Sequence, residues 1–267
     1  MRKIIAQFIG NKFPYFKGKQ KIIRTLYTPD RHLNSGDNFT VQYFDKKYHG
    51  ITSNYIDWGV YFFGGLEKGL VNYLKTVIHQ YDYLIDIGSN SGTISLPFAC
   101  HKNLKIICFE PLNYSYQKLI KNFKINNVFK KHTFHKIALS DKTGYGYLYY
   151  SLTNSNIGTA TLQKNKNEIK FVKEKVHLNK LDNIYKIKNS KIIIKIDVEG
   201  HEDKLIDGAV KLLKNNHILM YLETFNQQLL KKLRGMGFKC FYPKFVEGKY
   251  SFQSKQYLHH TILKNAK

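Results

Sequence analysis

The chain has 267 residues, 43% of them hydrophobic, which is enough for one large domain with a substantial core. It has no run of about 18 apolar residues, which excludes a transmembrane helix by sequence. Residues 1–10 have a basic start but lack a small-residue cleavage site, so we expect no signal peptide. The three cysteines have no metal-ligand spacing, which is typical of a protein of the reducing cytoplasm.

The net charge of +24 raises the question of a polyanionic partner. Only four of the 43 basic residues are arginine, the better reader of phosphates, and the lysines are spread along the whole chain. A nucleic-acid groove needs clustered basic residues with interleaved aromatics, so we expect a solvated surface and no nucleic-acid partner. Peripheral contact with an anionic membrane is compatible with this charge.

Residues 1–80 are less regular and predict a cap segment ahead of the main domain. Alternation over 38–50 indicates a β-hairpin, and residues 66–78 have the apolar spacing of an amphipathic helix. We expect this segment to cover the ligand site, with the aromatics of 55–65 mostly in the core. Glu67 is interpreted as an exposed structural acid, with a position facing the site as the alternative.

Residues 81–99 indicate the first unit of a nucleotide-binding α/β fold. A β-branched strand ends at Asp86, a glycine loop spans 88–92, and helical spacing begins at Thr93. Gly88 and Gly92 allow a sharp turn and a close ligand approach. The loop lacks the G-x-G-x-x-G motif of dinucleotide-binding proteins and the G-K-[ST] motif of a P-loop. An ordinary βα turn without a ligand remains the alternative.

A second strand over 104–109 ends in Glu110, 18 residues beyond Gly92, where α/β nucleotide sites place the acid that binds ribose hydroxyls. A helix over 115–126 and a third strand over 132–139 follow. Ser140 or Asp141 then lies where it can reach an adenine edge, although a solvated turn explains both equally well.

Residues 144–162 alternate and predict a hairpin excursion with a flexible turn at 154–158, placed to form part of a substrate rim. Residues 172–178 indicate another strand.

The second strong block is a buried strand over 191–196 followed by a polar cluster and a helix over 203–213. The cluster contains Asp197, Glu199, His201 and Glu202, and like charges in such density favour a functional site. The helix dipole is enough to explain Glu202.

Strand 217–223 ends in Glu223, helix 227–236 follows, and 238–243 and 257–263 predict an antiparallel final pair. The pattern predicts a seven-stranded, mostly parallel sheet with an N-terminal extension and a β-hairpin insertion.

The segments IDIGSNSGTISLPFA and KIIIKIDVEGHEDKLIDGA resemble the FkbM family of S-adenosylmethionine-dependent methyltransferases. The resemblance extends over about 55–224, with Ser89 standing where alanine is usual. It implies a Rossmann-like class I methyltransferase fold with helices on both faces, S-adenosylmethionine as cofactor, and methylation of hydroxyl groups on sugars, glycolipids or small metabolites. The first 50 and last 30 residues do not resemble the family, so the resemblance does not identify the methyl acceptor.

The resemblance, combined with the motifs, assigns site residues as hypotheses. The loop cradles the methionine part, Asp86 fixes either the loop or the amino group of the cofactor, Glu110 holds the ribose, and Asp197 faces the transferring methyl. The candidates for the base are Glu199 and His201. The predicted catalytic residues are Asp197, Glu199 and His201, and the predicted cofactor-binding residues are Asp86, Gly88, Ser89, Asn90, Gly92, Glu110, Ser140, Asp141 and Asp197. No metal is predicted; Mg²⁺ held by Asp197, Glu199 and Glu223 is the alternative.

We therefore expect a cap segment over 1–80 and a methyltransferase domain over 81–267. The expected activity is O-methylation of a sugar in surface-polysaccharide or glycolipid biosynthesis, in the cytoplasm and at the inner face of the membrane. An RNA methyltransferase and a non-catalytic cofactor-binding partner in glycan assembly remain open. A nicotinamide oxidoreductase is disfavoured by the loop sequence. The sequence does not predict the oligomeric state.

Overall fold

The computed structural model of the protein describes residues 1–14, 16–151, 155–162, 172–224, 226–246, 249–253 and 260–265. The N-terminal part contains four helices and one hairpin among these residues: α1 (Arg2–Lys12), α2 (Lys19–Leu26), β1 (Asn38–Tyr43), β2 (Lys46–Ile51), α3 (Tyr55–Phe63) and α4 (Lys68–Val77). The predicted hairpin and the predicted amphipathic helix are both confirmed. The helices α1 and α2 were not predicted.

The rest of the described chain alternates strands and helices around a central sheet. Its elements are β3 (Tyr83–Ile87), β4 (Lys105–Phe109), α5 (Asn113–Lys124), β5 (Thr133–His135), β6 (Ala138–Leu139), β7 (Gly144–Tyr150), β8 (Val172–Asn179), α6 (Leu181–Ile184), β9 (Lys191–Ile196), α7 (Glu202–Asp207), α8 (Val210–Asn215), β10 (His217–Glu223), α9 (Gln227–Gly235), β11 (Phe238–Val246), β12 (Lys249–Gln253) and β13 (His260–Asn265). Short 3-10 turns occupy Pro29–His32, Ile78–Gln80, Leu96–Phe98, Phe129–Lys131 and Ile157–Thr159.

The central sheet has the strand order β12-β11-β13-β10-β9-β3-β4-β5, which makes seven strands without the outermost hairpin strand β12. The five strands from β10 to β5 are parallel, and β13 and β11 are antiparallel additions. The hairpin partner β12 pairs only with the distal half of β11. The prediction of a seven-stranded, mostly parallel sheet ending in an antiparallel pair is confirmed for the described residues; 257–259 lie outside them.

The sheet is buried on both faces, because helices cover each side. Ile192 and Ile194 on β9 belong to the apolar cluster under α7, α8 and α9, whereas Ile193 between them faces the cluster under α4 and α5. This explains the continuous β-branched run that the sequence shows there. Tyr43 and Tyr48 of the hairpin pack into the second cluster, so the N-terminal segment shares a core with the sheet. The division at residue 80 stays a prediction.

The helix expected from Thr93 is wrong, because the chain forms only the 3-10 turn Leu96–Phe98 there. Pro97 has no N–H to donate to the carbonyl of Thr93, which removes an α-helical bond at the centre of the segment. The amides of Phe98 and Ala99 instead reach back three residues, to Ser95 and Leu96. The glycine loop therefore has no helix N-terminus behind it.

The excursion after β6 is a hairpin insertion, but its partner strand differs from the expectation. The strand β7 pairs antiparallel with β8, from Gly144 opposite Leu178 to Tyr150 opposite Val172, and within 144–162 it makes one antiparallel bridge, between Tyr149 and Thr161. The third predicted strand, 132–139, divides into β5 and β6, and β6 leaves the main sheet to pair with β8. The strands β6, β8 and β7 form a separate small sheet. Residues 152–154 of the predicted excursion, which include the first residue of the predicted turn, lie outside the described residues.

The predicted helix over 203–213 is divided into α7 and α8 at Gly208. A Cβ at Gly208 would lie 1.9 Å from the carbonyl oxygen of Ser140, so the close approach of the two segments requires glycine. No helix in the described part of the chain has the length and apolarity needed to cross a bilayer.

Candidate active site

A cavity of about 440 Å³ lies at the carboxyl ends of the parallel strands. The strands β9 and β4 flank β3 on opposite sides, so the chain reverses direction across the sheet at β3, where open α/β sheets bind ligands. Seven predicted site residues line the cavity: Gly88, Ser89, Asn90, Glu110, Asp197, Glu199 and His201. Asp86, Gly92, Ser140 and Asp141 do not line it.

The glycine loop is held tightly against the end of β9. Gly88 has a φ of +73°, and a Cβ there would lie 1.8 Å from the carbonyl oxygen of Asp197. Ser89 donates its hydroxyl to the carbonyl of Asp86 at 2.6 Å. Gly92, with a φ of +86°, is required by packing, since a Cβ would meet Leu119 at 2.8 Å. The two glycines therefore let the loop pack closely against β9 and α5 at the edge of the cavity.

Glu110 follows β4 and is 6% exposed. Its carboxylate accepts the amide of Asn90 at 2.8 Å and the amide of Leu112 at 2.9 Å. Burial raises the pKa of Glu110 to about 7, although these two N–H donors oppose the rise. The acid thus lines the cavity and also holds the glycine loop, and its ribose-binding role stays a prediction.

Lys195 is the site residue that the sequence reasoning missed. It is buried on β9, and its ammonium donates to the carbonyl of Gly88 at 2.9 Å and to Asp197 at 3.3 Å. A carboxylate oxygen of Asp86 lies 3.9 Å away. Burial opposes the charged form, but Asp197 and Asp86 outweigh it and raise the pKa of Lys195 above its usual value. The signal in the sequence for a role of Lys195 is that it interrupts a run of isoleucines in a buried strand.

Asp86 lies behind the glycine loop and is fully buried. Neither of its carboxylate oxygens makes a hydrogen bond of standard geometry among the described residues. Burial raises its pKa, and the ammonium of Lys195 opposes that rise. Asp86 therefore acts as a buried counter-charge to Lys195.

Glu67 precedes α4 and points into the cavity from the N-terminal segment. The interpretation of Glu67 as an exposed acid is wrong, because the carboxyl group of Glu67 lies toward the carboxylates of the sheet. One oxygen of Glu67 is buried without a hydrogen-bond partner in the described structure. Burial raises the pKa of Glu67 to about 7, and Lys195 opposes that rise.

Two further glutamates meet Asp197 in the cavity. Glu199 has a φ of +50°, which turns the chain sharply after β9, and Glu223 ends β10. The pKa of Glu199 is raised to about 7 by loss of hydration within the cluster and by repulsion from Asp197, although more than a third of its side chain is exposed. The same two causes raise the pKa of Glu223 to about 7.

The His201 imidazole is turned toward the loop after β6. Its Nε2 lies 3.0 Å from the Ser140 hydroxyl, which itself donates to Asp141 at 3.0 Å. Because the serine proton is directed at Asp141, Nε2 is the donor and the neutral ring keeps its lone pair on Nδ1. Burial lowers the pKa of His201, which is consistent with that neutral form.

Asp141 is bound to Lys204 at 3.1 Å, and this contact lowers its pKa. The adenine-binding roles of Ser140 and Asp141 stay predictions. Glu202 is buried and accepts the amide of Gly200 at 3.0 Å, as expected for an acid at a helix start. No group of three or more histidine, cysteine, aspartate or glutamate side chains arranged to hold a metal occurs among the described residues.

The segment 155–162 contributes to the cavity wall through Asn156, Gly158, Ala160 and Leu162. A Cβ at Gly158 would lie 2.9 Å from the side-chain nitrogen of Asn90, so this segment crosses directly over the glycine loop.

A buried network joins the N-terminal segment to the glycine loop. The Tyr48 hydroxyl donates to Asp57 at 2.6 Å and lies 2.6 Å from the Ser91 hydroxyl. Asp57 also accepts the amide of Ile51 at 2.8 Å and pairs with Lys118 on α5. Hydrogen bonds therefore join the N-terminal segment directly to the glycine loop.

A family model described as "Methyltransferase FkbM domain" matches residues 86–240, more than half of the chain. No curated protein matches the chain. Among solved structures, the chain is similar to a Pyrococcus abyssi tRNA (uracil-54, C5)-methyltransferase in complex with S-adenosyl-L-homocysteine, with 13% identity and a TM-score of 0.44 over 85% of this chain and 43% of that one.

It is also similar to a Streptococcus agalactiae protein of the NADB-Rossmann superfamily, with 12% identity and a TM-score of 0.45 over 73% of this chain and 67% of that one. A third similar structure is the B. subtilis m1A22 tRNA methyltransferase TrmK, with 8% identity and a TM-score of 0.43 over 74% of this chain and 65% of that one. The chain thus spans less than half of the first of these proteins.

Proposed function

The chain belongs to the FkbM methyltransferase family, and on that premise we propose that it methylates a sugar hydroxyl in surface-polysaccharide or glycolipid biosynthesis. S-Adenosylmethionine is the methyl donor, and it supplies an electrophilic sulfonium methyl. The chain's own residues then have three tasks: to hold the donor, to orient the acceptor hydroxyl, and to remove its proton.

The cavity suits a cofactor of this kind. Its volume of about 440 Å³ falls in the usual range of small-molecule sites, roughly 300–1,000 Å³. The close approach of β9 leaves no room for a side chain at position 88, and Glu67 keeps a buried oxygen without a partner in the described structure. Gly88, Asn90 and Glu110 would hold the donor, and Asp197 would lie on the acceptor side.

The observation that carries the proposal is the meeting of Asp197, Glu199 and Glu223 at the wall of the cavity, where burial and mutual repulsion raise the pKa of both glutamates to about 7. A carboxylate of that pKa is basic enough to accept a proton from a hydroxyl, a contribution worth roughly 10²–10⁴ in rate. We assign this role to Glu199. The ring of His201 donates to Ser140, which supports a positioning role for His201 instead.

The acids of the cavity also support a neutral acceptor. Glu67, Glu110, Asp197, Glu199 and Glu223 line it, against the single lysine Lys195. A phosphate-rich acceptor would be repelled from such a rim, whereas sugar hydroxyls donate well to carboxylates. RNA remains the second candidate because of the net charge of +24. The proposed setting is the cytoplasm, which the scattered cysteines support.

The test is transfer of label from methyl-labelled S-adenosylmethionine. The purified chain is incubated with a panel of neutral oligosaccharides and glycolipids and, separately, with total RNA. We expect label in a sugar acceptor, as an ether that survives alkali. Glu199→Gln should lower turnover by at least a hundredfold with little change in donor affinity. Asp203→Asn is the matched control, since Asp203 is an exposed acid paired with Lys232 on the outer side of α7.

Label found only in RNA would refute the sugar acceptor. Tight donor binding without transfer to any class would instead support the non-catalytic alternative.

A further inference from the structure

The helix α1 has an unusual distribution of side chains. Its small residues face the protein: Ala6 is fully buried, and a Cβ on Gly10 would lie 1.8 Å from the carbonyl oxygen of Phe62. Three of its four large apolar residues face solvent, with Ile4 70% exposed and Phe8 58% exposed, whereas Ile9 is half-buried against the core. The helix is thus docked closely by its small face, so the exposure of its large residues is not a result of loose packing.

This apolar face continues beyond α1. Of the twelve exposed large hydrophobic residues in the described part of the chain, seven lie within the first 22 positions: Met1, Ile4, Ile5, Phe8, Phe13, Phe16 and Ile22. Phe8 and Phe13 touch edge to face, with ring centroids 5.9 Å apart. Concentration of apolar surface in one element marks an interaction site rather than the scattered exposure of an ordinary surface.

The same segment is purely basic. Residues 1–29 contain seven lysines and arginines and no acid, and the first acid is Asp30. Among the basic residues, Arg2, Lys12, Lys17 and Lys21 are exposed beside the apolar face. Lys19 is instead buried and donates to the carbonyl of Gly10 at 2.8 Å, which ties α2 to α1.

We propose that α1, α2 and the described residues 13, 14 and 16–18 between them form a docking surface for an anionic phospholipid membrane. Exposed aliphatic and phenylalanine side chains enter the boundary between headgroups and acyl chains, and the surrounding lysines meet the lipid phosphates. Exposed aliphatic side chains such as Ile4 and Ile5 do not contribute to RNA binding, because RNA is bound through aromatic stacking and arginine. This surface is independent of the identity of the methyl acceptor.

The surface also lies close to the cavity wall. Gln20 on α2 donates to the hydroxyl of Tyr55 at 3.2 Å, and Arg24 lies over the same ring. Tyr55 lines the cavity. A chain held at a membrane through α1 and α2 would thus have a wall of its cavity near the lipid.

The test is flotation of the full chain with vesicles of phosphatidylcholine alone and of phosphatidylcholine with phosphatidylglycerol. We expect binding to the second kind only, decreasing with added salt. The double variant Ile4→Ser/Phe8→Ser should lose at least tenfold in affinity. Lys12→Gln/Lys17→Gln/Lys21→Gln should lose on the order of a hundredfold, at about fivefold for each charge.

Two controls separate the surface from general properties of the chain. Lys105→Gln/Lys131→Gln/Lys211→Gln removes the same charge from three exposed lysines elsewhere, and Tyr145→Ser removes a side chain 59% exposed. Both should bind like the unmodified chain, and every variant should keep its melting temperature and donor affinity.

Equal losses in the two triple variants would overturn the proposal, because they would mean that net charge alone acts. Binding to phosphatidylcholine alone, or unchanged vesicle binding by Ile4→Ser/Phe8→Ser, would overturn it as well. If vesicles are not bound and Ile4→Ser/Phe8→Ser converts a dimer to a monomer, the surface joins two copies of the chain instead.

Discussion

Replacement of Lys195 by methionine tests the electrostatic balance beneath the glycine loop. The side chain keeps its approximate length but loses the charge that faces Asp86 at 3.9 Å and Asp197 at 3.3 Å, and it also loses the bond to the Gly88 carbonyl. Asp86 is then left fully buried with no cation beside it. Removing one partner of a buried ion pair costs about 3–5 kcal/mol of unfolding free energy.

The loss should depend on pH in a defined direction. Without Lys195, the folded-state pKa of Asp86 rises further above its unfolded value, so the native state binds more protons than the unfolded state. The unfolding free energy of Lys195→Met should therefore fall as pH rises from about 4 toward neutrality. The double variant Lys195→Met/Asp86→Asn should recover most of the loss, since the uncompensated charge is then absent.

The assay is urea denaturation followed by circular dichroism at several pH values. Lys232→Met is the matched control, because Lys232 pairs with Asp203 and Asp207 at the surface and such pairs contribute about 0–1 kcal/mol. The assignment of Lys195 as the required counter-charge is incorrect if the unfolding free energy of Lys195→Met lies within about 1 kcal/mol of that of the unmodified chain at neutral pH. It is also incorrect if adding Asp86→Asn to Lys195→Met restores none of the lost unfolding free energy.

The remaining predictions concern the loop, the network beneath it and the base. Gly88→Ala forces a Cβ against a carbonyl oxygen 1.8 Å away at a φ of +73°, so calorimetry should show at least tenfold weaker donor binding, and unchanged affinity would contradict the role of the loop. Asp57→Asn removes the charge that pairs with Lys118, and it should cost about 1–3 kcal/mol of unfolding free energy together with donor affinity, because Ser91 is anchored through the same network. A loss of stability without a loss of affinity would show that the cap and the loop are not coupled. Turnover should rise with pH through about 7 as Glu199 loses its proton, and an acid limb that persists in Glu199→Gln would exclude it as the base.

Much of the fold follows from local pattern. The apolar runs at β3, β4, β9 and β10 are typical of strands buried on both faces, and each ends in an acid or is followed at once by an acid or a glycine loop. Parallel strands share a carboxyl edge, so residues placed directly after them are brought together whatever the details of packing. For this reason the sequence sufficed to predict that Gly88, Glu110 and Asp197 lie at one cavity.

Contacts between elements distant in sequence were decided by the tertiary structure. Periodicity does not reveal that Glu67 reaches the sheet from the N-terminal segment, that β7 pairs with β8, or that the His201 ring turns to Ser140. The charge on Lys195 is tolerated only because Asp86 and Asp197 arrive beside it from neighbouring positions of the sheet. Burial and the identity of the nearest charge set these energies, and both are properties of the packed chain rather than of any single segment.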